Sequence, residues 1–586
     1  MKKILLTTIL LGMALSLMAI PARPGRFPYV QPDGSTILIE MHGDEFNHWI
    51  TAADGTELEW DNGFYRPSTR SSEKRKEMRR QGESRRRMAY EAQQVARSQG
   101  IATGRKHFLV ILIEFDDEHF TVSNPQDAFT RLLNEPGYST NGATGSARDY
   151  YYENSNGSFE PIFDVVGPVR LSKGYAYYGQ GTNGSDLHAD EALFEACKLL
   201  DDEIDFSAYD YDGDNFVDLV FYYYAGTNEA EGGGEDRIWP HKFALYNYYN
   251  SAVFDNVRVY DYACTSEKNY LGTMCGIGTA CHEFGHAMGL PDMYDTDGTE
   301  NGTAGALYSY SIMCSGSYNN AGRTPPYFNM QERIYLGWNE ESDIREITTG
   351  GTLSIPALNG TQQMVYKIPT DVEGEYFMLE TRAQSGWDAA LPGQGLLVYH
   401  IDKSSNRVGY TTAARLWNWS QTGNRLNAYG SHPCCYLIPA ASPESLDFFG
   451  SESAIPFPYR AGHTVVTAYT PVDWAGENAT GYMENISYSA GTATMTVYFP
   501  PDDISQYGYH FIDNPGNGVY TAGKYFTFKL IEAETNPPSS VKWFYDGSAK
   551  NNSGSVKLTA GTHKIEARLT YADGTVESIY LTITVN

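Results

Sequence analysis

The chain has 586 residues, of which 41% are hydrophobic and 14% aromatic, so it is globular, long enough for several domains and unlike a disordered protein. Its 43 Lys and Arg residues against 72 Asp and Glu residues give a net charge of −29, which argues against nucleic acid or an anionic membrane as the partner. The seven cysteines do not predict a disulfide framework, because their number is odd.

The first residues have the features of a secretory signal peptide. Met1-Lys2-Lys3 precede an apolar run from Ile4 to Met18, and small residues follow at Ala19 and Ala22. An apolar run of about 15 residues is too short to span a bilayer comfortably. We assign residues 1–22 to the signal peptide, with cleavage after Ala19 and after Ala22 both left open. No Cys follows for lipid attachment and no later segment is apolar enough to cross a bilayer, so we expect a secreted or extracytoplasmic protein.

Residues 23–104 have the composition of a propeptide with a basic linker. Asp-Gly pairs at 33–34 and 54–55 interrupt short alternating runs, which predicts a small β-rich element. Residues 66–106 carry 13 Lys and Arg against 4 Glu, and an exposed helix is predicted over 70–99. Processing at Arg97 or Arg105-Lys106 is one interpretation, and a permanent linker is the other. The segment has no Cys, so if it blocks a metal, the ligand would be an oxygen or imidazole, for example from Asp44 or His42.

Residues 105–345 alternate between strand and helix patterns and predict an α/β domain. Apolar runs predict buried strands at 107–115 and 218–224, with a further strand near 163–169. Helices are predicted near 127–133, 146–152, 189–200 and 278–288.

The helix predicted at 278–288 carries the pattern His282-Glu283-x-x-His286, followed by Gly289 and Asp292. Histidines four residues apart project from one face of a helix and can share a metal ion. Gly289 allows the chain to turn back, so that Asp292 becomes the third ligand, with Asp295 as the rival. Three protein ligands and one open position describe a catalytic zinc site, in which Glu283 is the general base for an activated water.

An acidic loop precedes the second buried strand, with carboxylates at Asp210, Asp212, Asp214 and Asp218. Their spacing is similar to an oxygen cage for Ca²⁺, and so many close carboxylates repel one another without a cation. The loop is not an EF-hand, because it lacks Gly at position 6 and Glu at position 12. A weaker second Ca²⁺ candidate lies at Asp295, Asp297 and Glu300, and solvated acidic turns are the alternative.

Strand patterns dominate the rest of the chain. Residues 346–500 predict a β-sandwich-like accessory domain, and Pro500-Pro501 mark its end. Residues 501–586 contain short alternating strands with Asp-Gly turns at 546–547 and 573–574, which is typical of an immunoglobulin-like sandwich with Trp543 in its core.

The long motif from His282 to Asp292 resembles that of the secreted immune inhibitor A-type metalloproteases, within the metzincin group. The segment Ser311-Ile312-Met313-Cys314-Ser315-Gly316-Ser317 is similar to their methionine turn. The resemblance covers roughly residues 105–480 and implies that Met313 forms an apolar floor beneath a zinc ion. No Tyr lies two residues after Met313, so Tyr318 and His241 remain open as oxyanion-stabilising residues.

These observations predict a secreted zinc endopeptidase that is made as a zymogen and stabilised by Ca²⁺. The expected fold is a metzincin-like α/β protease domain followed by the two β domains. The expected partners are protein or glycoprotein substrates, and we expect a monomer. The alternative is a surface binding or adhesive protein on a degenerate protease scaffold.

Overall fold

The computed structural model describes most of the chain, with gaps. The described residues are 20–93, 101–181, 186–298, 302, 304–361, 363–418, 422–443, 451–461, 464–476, 479–499, 511–513, 520, 522–531, 538–550, 555–572 and 576–585. Most of the signal peptide prediction therefore lies outside the described residues, as do the processing candidate Arg97 and the cation candidate Glu300. Within the described part, no helix is both long and apolar enough to cross a membrane.

The N-terminal segment forms a small antiparallel sheet whose strands pair in sequence order, β1 to β5. Asp-Gly turns connect the strands as predicted, with positive φ at Gly34 and Gly55. A long helix, α1, follows at Ser72–Gln93. The strands are Arg26–Val30, Thr36–Asp44, Asn47–Ala52, Glu57–Asp61 and Phe64–Pro67.

The next part is built on a five-stranded sheet in the order β7-β6-β8-β12-β9. Strands β7, β6, β8 and β12 are parallel, and β9 closes one edge in the antiparallel direction. A small hairpin joins β10 and β11. The strands are Gly104–Glu114, Phe159–Arg170, Val220–Tyr224, His241–Ala244, Val253–Phe254, Val257–Arg258 and Asp261–Ser266 for β6 to β12.

Both faces of this sheet are covered, which explains the continuous apolar run in β6. Phe108, Val110 and Leu112 belong to the core that contains residues of α2, α3 and α6. The alternate residues Leu109, Ile111 and Ile113 belong to the core on α5. The predicted helices are confirmed as α2 Pro125–Asn134, α3 Ala147–Asn154, α5 Ala189–Leu200 and α6 Gly278–Ala287, with the short helices α4 Tyr175–Tyr178 and α7 Met330–Tyr335 in addition.

A second large sheet, in the order β13-β15-β16-β17-β20, shares the apolar core of the active-site helix α6. The predicted boundary at residue 345 therefore does not separate two cores. The strands β13 to β24 are Ile344–Glu346, Gly351–Pro356, Val365–Pro369, Glu375–Arg382, Gly395–Asp402, Arg407–Val408, Thr411–Thr412, Cys435–Leu437, Tyr459–Ala461, Thr464–Val466, Tyr482–Ser489 and Thr492–Tyr498, and α8 is Ala413–Leu416.

The chain divides into two compact units. The first holds the described residues of 1–347, 352–468 and 485–495, and the second holds those of 348–351, 469–484 and 496–586. The second unit has its own core, in which Trp543 is 4% exposed, as predicted. Strands β25 to β32 are Phe511–Asp513, Tyr525–Thr527, Lys529–Ile531, Ser540–Tyr545, Ser548–Ala549, Ser555–Lys557, Gly561–Thr570 and Val576–Val585.

Candidate active site

Helix α6 is buried throughout, and two glycines allow its close packing. A Cβ at Gly278 would lie 1.9 Å from the carbonyl oxygen of Ser317, and one at Gly285 would lie 2.9 Å from Sδ of Met313. The helix ends at Ala287, and Gly289 follows with φ +108°, a conformation that favours glycine. The chain can therefore reverse and bring Asp292 back to the helix.

Three side chains from this turn meet at one point. His282 Nε2 and His286 Nε2 are 3.1 Å apart, and Oδ1 of Asp292 lies 3.3 Å from each of them. All three residues are buried. Their candidate ligand atoms lie within 4.8 Å of one another, which is the spacing of ligands around a shared ion.

Backbone carbonyls fix the orientation of both imidazole rings. His282 Nδ1 donates to the carbonyl of Ile312 at 2.7 Å, and His286 Nδ1 donates to that of Leu290 at 2.8 Å. A carbonyl only accepts, so each Nδ1 carries the proton and each neutral ring points a lone pair from Nε2 at the common centre. This is the state in which histidine binds a metal.

Asn424 holds the carboxylate of Asp292, and sequence reasoning missed it. Its Nδ2 donates to Oδ2 of Asp292 at 2.5 Å, and its Oδ1 accepts the backbone N–H of Asp292 at 2.9 Å. The other oxygen, Oδ1, is buried and accepts no hydrogen bond within the described part of the chain, so it remains available to a cation. Asn424 is 132 residues away along the chain, and no local motif connects the two positions.

The electrostatics of the cluster suit a divalent metal. Burial lowers the pKa of His282, as does His286, so its ring is held neutral. Burial alone would raise the pKa of Asp292, but the charge and hydrogen bonds of the two imidazoles in their protonated state hold it below its usual value, and a cation bound in place of those protons would act in the same direction. Two neutral imidazoles and one carboxylate form the donor set of a catalytic zinc site, and the residues present fit that ion.

Glu283 lies beside these ligands and contacts the N-terminal segment. Burial raises the pKa of Glu283 well above its usual value, and its Oε2 has no hydrogen-bond partner among the residues that the structure describes. Its Oε1 accepts the backbone N–H of Ile20 at 2.8 Å. The base predicted from the motif is therefore in contact with the first described residue of the chain.

Hydrogen bonds to the backbone groups of residues 20–23 hold this segment along the site. Trp239 Nε1 donates to the carbonyl of Ile20 at 3.0 Å, and the hydroxyl of Tyr318 donates to that of Pro21 at 2.7 Å. The N–H of Arg23 donates to the carbonyl of Ala230 at 2.9 Å. The segment thus occupies the space in front of Glu283.

Asp44 and His42, proposed as blocking ligands, do not join the cluster of His282, His286 and Asp292. Asp44 Oδ1 accepts the N–H groups of Phe46 and Asn47 in a turn, and His42 Nε2 bonds to Oγ1 of Thr51. The contact with Glu283 is made instead by the backbone N–H of Ile20, which no side-chain pattern can reveal.

The glycine-rich loop Glu231–Glu235 receives aromatic rings of the N-terminal sheet. A Cβ at Gly232 would lie 2.5 Å from the ring of Phe27, and one at Gly234 would lie 2.6 Å from that of Trp60. His48 stacks on Trp239 at 4.6 Å and pairs with Glu229 at 2.9 Å. The loop packs against the N-terminal sheet, and its glycines make the close approach possible.

Met313 lies beneath the active-site helix, where the methionine turn was expected. It is fully buried, and its backbone N–H donates to Oγ of Ser311 at 3.0 Å. Ser311 in turn bonds to the carboxyl group of Glu332 in α7, whose pKa burial raises to about 7. The floor of the site is thereby tied to the next helix.

The remaining candidates occupy other positions. Asp295 accepts the backbone N–H groups of Asp297 and Ala304, so it organises a loop and does not approach the histidines. His241 bonds to the carbonyl of Trp239 and the hydroxyl of Tyr262 within the core. Tyr318 faces the peptide segment in the site, as its bond to Pro21 shows.

In the acidic loop, three of the four carboxylates predicted as Ca²⁺ ligands lie close together, and the ion itself stays a prediction. Asp210, Asp212 and Asp214 approach within 4.8 Å of one another, and Asn215 adopts φ +69°. Burial raises the pKa of Asp214, and the charges of Asp212 and Asp210 add to this rise. Asp218 is outside that group, and its Oδ2 accepts the N–H of Tyr211 at 3.2 Å.

Comparison with known proteins identifies the part of the chain that carries this site. Residues 95–339 match the family model of the immune inhibitor A peptidase M6 catalytic domain. The chain is 31% identical over 272 residues to the pre-pro-metalloprotease PrtV of Vibrio cholerae serotype O1 (strain M66-2), a match that covers 39% of this chain and 29% of that protein. It is 28% identical over 222 residues to immune inhibitor A of Bacillus thuringiensis subsp. alesti, covering 32% of this chain and 31% of that protein.

A solved structure with broad coverage is that of wild-type OgpA from Akkermansia muciniphila, with 10% identity over 82% of this chain and 93% of that one. Its TM-score of 0.21 is too low to carry an argument about fold or function. The matches to PrtV and to immune inhibitor A each span less than a third of the relative's length.

Proposed function

We propose that this chain, whose residues 95–339 belong to the immune inhibitor A family of M6 peptidases, is a secreted zinc-dependent endopeptidase made as an inactive precursor. The observation that carries the proposal is the convergence of His282 Nε2, His286 Nε2 and Asp292 Oδ1 beside the unpartnered Oε2 of Glu283. Its substrates would be extracellular proteins or glycoproteins.

In this proposal the chain's own residues orient the peptide and move protons. Zinc held by His282, His286 and Asp292 would polarise the scissile carbonyl and make water a better nucleophile at neutral pH. Glu283 accepts the proton of the attacking water and delivers it to the amine that leaves. Tyr318 and Trp239 donate hydrogen bonds to peptide carbonyls, as they do to Pro21 and Ile20.

The prosegment would keep the precursor inactive by filling the site. The support is the contact of Ile20 with Glu283, together with the three further backbone hydrogen bonds of residues 20–23. Cleavage of the signal peptide after Ala19 would preserve this segment, whereas cleavage after Ala22 would remove most of it. We therefore favour Ala19, and N-terminal sequencing of the exported precursor should read Ile-Pro-Ala-Arg.

Calcium in the acidic loop is the second ion of the proposal. Asp210, Asp212 and Asp214 offer converging carboxylates that repel one another, and a divalent cation would remove that repulsion. This ion is distant in sequence from the zinc ligands, and its role would be to stabilise the fold.

Metal analysis together with a chelator-reversible cleavage assay tests the proposal against the adhesive-protein alternative. The processed protein should contain about one zinc per chain and cleave denatured proteins, and a chelator should abolish cleavage until zinc is restored. A protein that binds no zinc, or binds it without cleaving any peptide bond, would support the alternative of a surface binding or adhesive protein on a degenerate protease scaffold.

A further inference from the structure

Residues 20–23 run through the active site in the direction expected for the part of a substrate that follows the scissile bond. Glu283 is the group that would deliver a proton to the leaving amine, and the nitrogen at its Oε1 belongs to Ile20. The chain then runs away from Glu283 through Pro21 and Ala22 to Arg23. Ile20 therefore stands where the first residue beyond a scissile bond would stand, and Arg23 stands at the fourth.

Arg23 enters a site made partly by the protease itself. Its guanidinium carbon lies 3.7 Å from the ring centroid of Tyr270 and 4.4 Å from that of Phe27. Burial lowers the pKa of Arg23, while Tyr270 and Glu231 act in the opposite direction. Phe27 leaves with the prosegment, whereas Tyr270 and Glu231 remain in the processed enzyme.

Glu231 is held in place and lacks a cation of its own. Its Oε2 accepts the backbone N–H of Tyr270 at 2.7 Å, and its Oε1 accepts Nδ2 of Asn228 at 3.1 Å. Among the described residues, no Lys, Arg or His nitrogen lies within 4.0 Å of this carboxylate, and Arg23 is the cation that acts on its pKa. Removal of the prosegment would leave a half-buried charge that a cationic ligand can compensate.

We propose that Glu231 and Tyr270 form a specificity subsite that selects a cationic side chain at the fourth residue beyond the scissile bond. This inference rests on the proposed peptidase function and names its substrate class. Arg should be preferred to Lys, because a planar guanidinium stacks on a tyrosine ring in the way that Arg23 does. The inhibitory segment would thus present the same side chain as a good substrate.

The test uses processed wild-type enzyme and quenched fluorescent peptides that differ only at this fourth position, which is Arg, Lys, Gln or Glu. Mass spectrometry confirms that each peptide is cut at the same bond. We expect kcat/KM for the Arg peptide to exceed that for the Gln peptide by roughly tenfold, with Lys between them and Glu lowest. In Glu231→Gln, which keeps an oxygen for the N–H of Tyr270, the ratio of kcat/KM between the Arg and Gln peptides should fall severalfold, to the part that stacking on Tyr270 supports.

A matched control is Asp236→Asn, which removes one charge from the same loop and should preserve the preference for Arg. A second readout is the anisotropy of a labelled Ile-Pro-Ala-Arg-Pro-Gly peptide, whose affinity for the processed wild type should exceed that of the Gln analogue by a similar factor. If the wild type cuts all four peptides equally, or Glu231→Gln retains the full wild-type preference, the subsite is wrong while the peptidase stands. If zinc-loaded wild type cuts none of them and no protein substrate, the proposed function itself is wrong.

Discussion

The carbonyls of Ile312 and Leu290 determine how the two histidines face the metal position. Each accepts a hydrogen bond from the N–H of Nδ1, and each thereby directs Nε2 towards Asp292. Asn424 orients the carboxylate of Asp292 by donating a hydrogen bond to Oδ2, which leaves Oδ1 facing the histidines. Each of the three ligand side chains is therefore held in position before any ion binds, because an uncharged carbonyl or amide group forms a hydrogen bond with the atom that does not face the ion.

Replacement of Glu283 by Gln should separate metal binding from catalysis. The amide cannot accept the proton of the attacking water, so we expect kcat to fall by roughly 10²- to 10⁴-fold with zinc content unchanged. Proteomic mapping of cleavage sites, with processed wild type beside the variant, measures the effect. Unchanged turnover would contradict the assignment of Glu283 as the base.

Replacement of Asn424 by Ala should weaken zinc binding without removing a ligand. Loss of the hydrogen bonds to Asp292 frees that carboxylate to rotate, and we expect the zinc affinity to fall by about 10- to 100-fold. Competition with a zinc chelator gives the affinity, and excess zinc should restore much of the activity. Asn339→Ala, at a half-buried position where the amide bonds to Asp343, is the control, and equal zinc affinity in both variants would refute the role of Asn424.

At the scale of elements, the prosegment sheet and the glycine-rich loop form one interface. The aromatic rings of Phe27 and Trp60 fit where Gly232 and Gly234 have no side chain, and His48 adds an ion pair with Glu229. The sheet thereby carries residues 20–23 into the site. In the proposed precursor, docking and inhibition would be done by different parts of the segment, so mutations can separate them.

Deletion of residues 20–23 should release activity while the rest of the prosegment remains attached. The four residues block Glu283, and the strands that follow hold the sheet on the loop. A precursor with this deletion should cleave a quenched peptide at a rate near that of the processed enzyme. The exposed substitution Arg66→Ala should leave the precursor inactive. A deletion variant as inactive as the full precursor would show that another contact maintains latency.

Docking of the prosegment should weaken as pH rises. Burial alone would lower the pKa of His48, but the charge and hydrogen bond of Glu229, with Glu235, raise it from 6.5 to about 9. The pair therefore stabilises docking fully below pH 6.5 and loses this contribution as pH rises through about 9. Burial raises the pKa of Glu235 to about 7 and also raises that of Asp186. As pH rises, deprotonation of these two groups also weakens docking, at a lower pH than the deprotonation of His48.

Limited proteolysis of the precursor between pH 6 and pH 10 measures this effect as the rate of cutting within the prosegment. The rate should increase most between about pH 6.5 and pH 9 in the wild type. His48→Gln should lack that step and be cut faster at pH 6. The same steep rise in the variant would mean that other groups control docking.

At the scale of the whole molecule, a calcium ion in the acidic loop would act on folding and leave the zinc site unchanged. Loss of an ion present at 100 times its dissociation constant costs about 2.7 kcal/mol of the free energy of unfolding. We expect removal of calcium by dialysis to lower Tm by roughly 5 °C, with zinc still bound. Calorimetry and zinc analysis of the same samples test this, and Asp212→Asn should abolish the response. An unchanged Tm on calcium removal would contradict the proposal.

The sequence alone determined the local features of this protein. The spacing of His282 and His286, the glycine that ends α6 and the apolar runs of β6 and β8 depend on helix and strand periodicity, which a short segment specifies by itself. Tertiary structure decided the rest: Asn424 at Asp292, the core shared across residue 345, and Ile20 at Glu283. These contacts join residues far apart in the chain through backbone groups or common apolar surfaces, and such groups leave no pattern in the sequence of either partner.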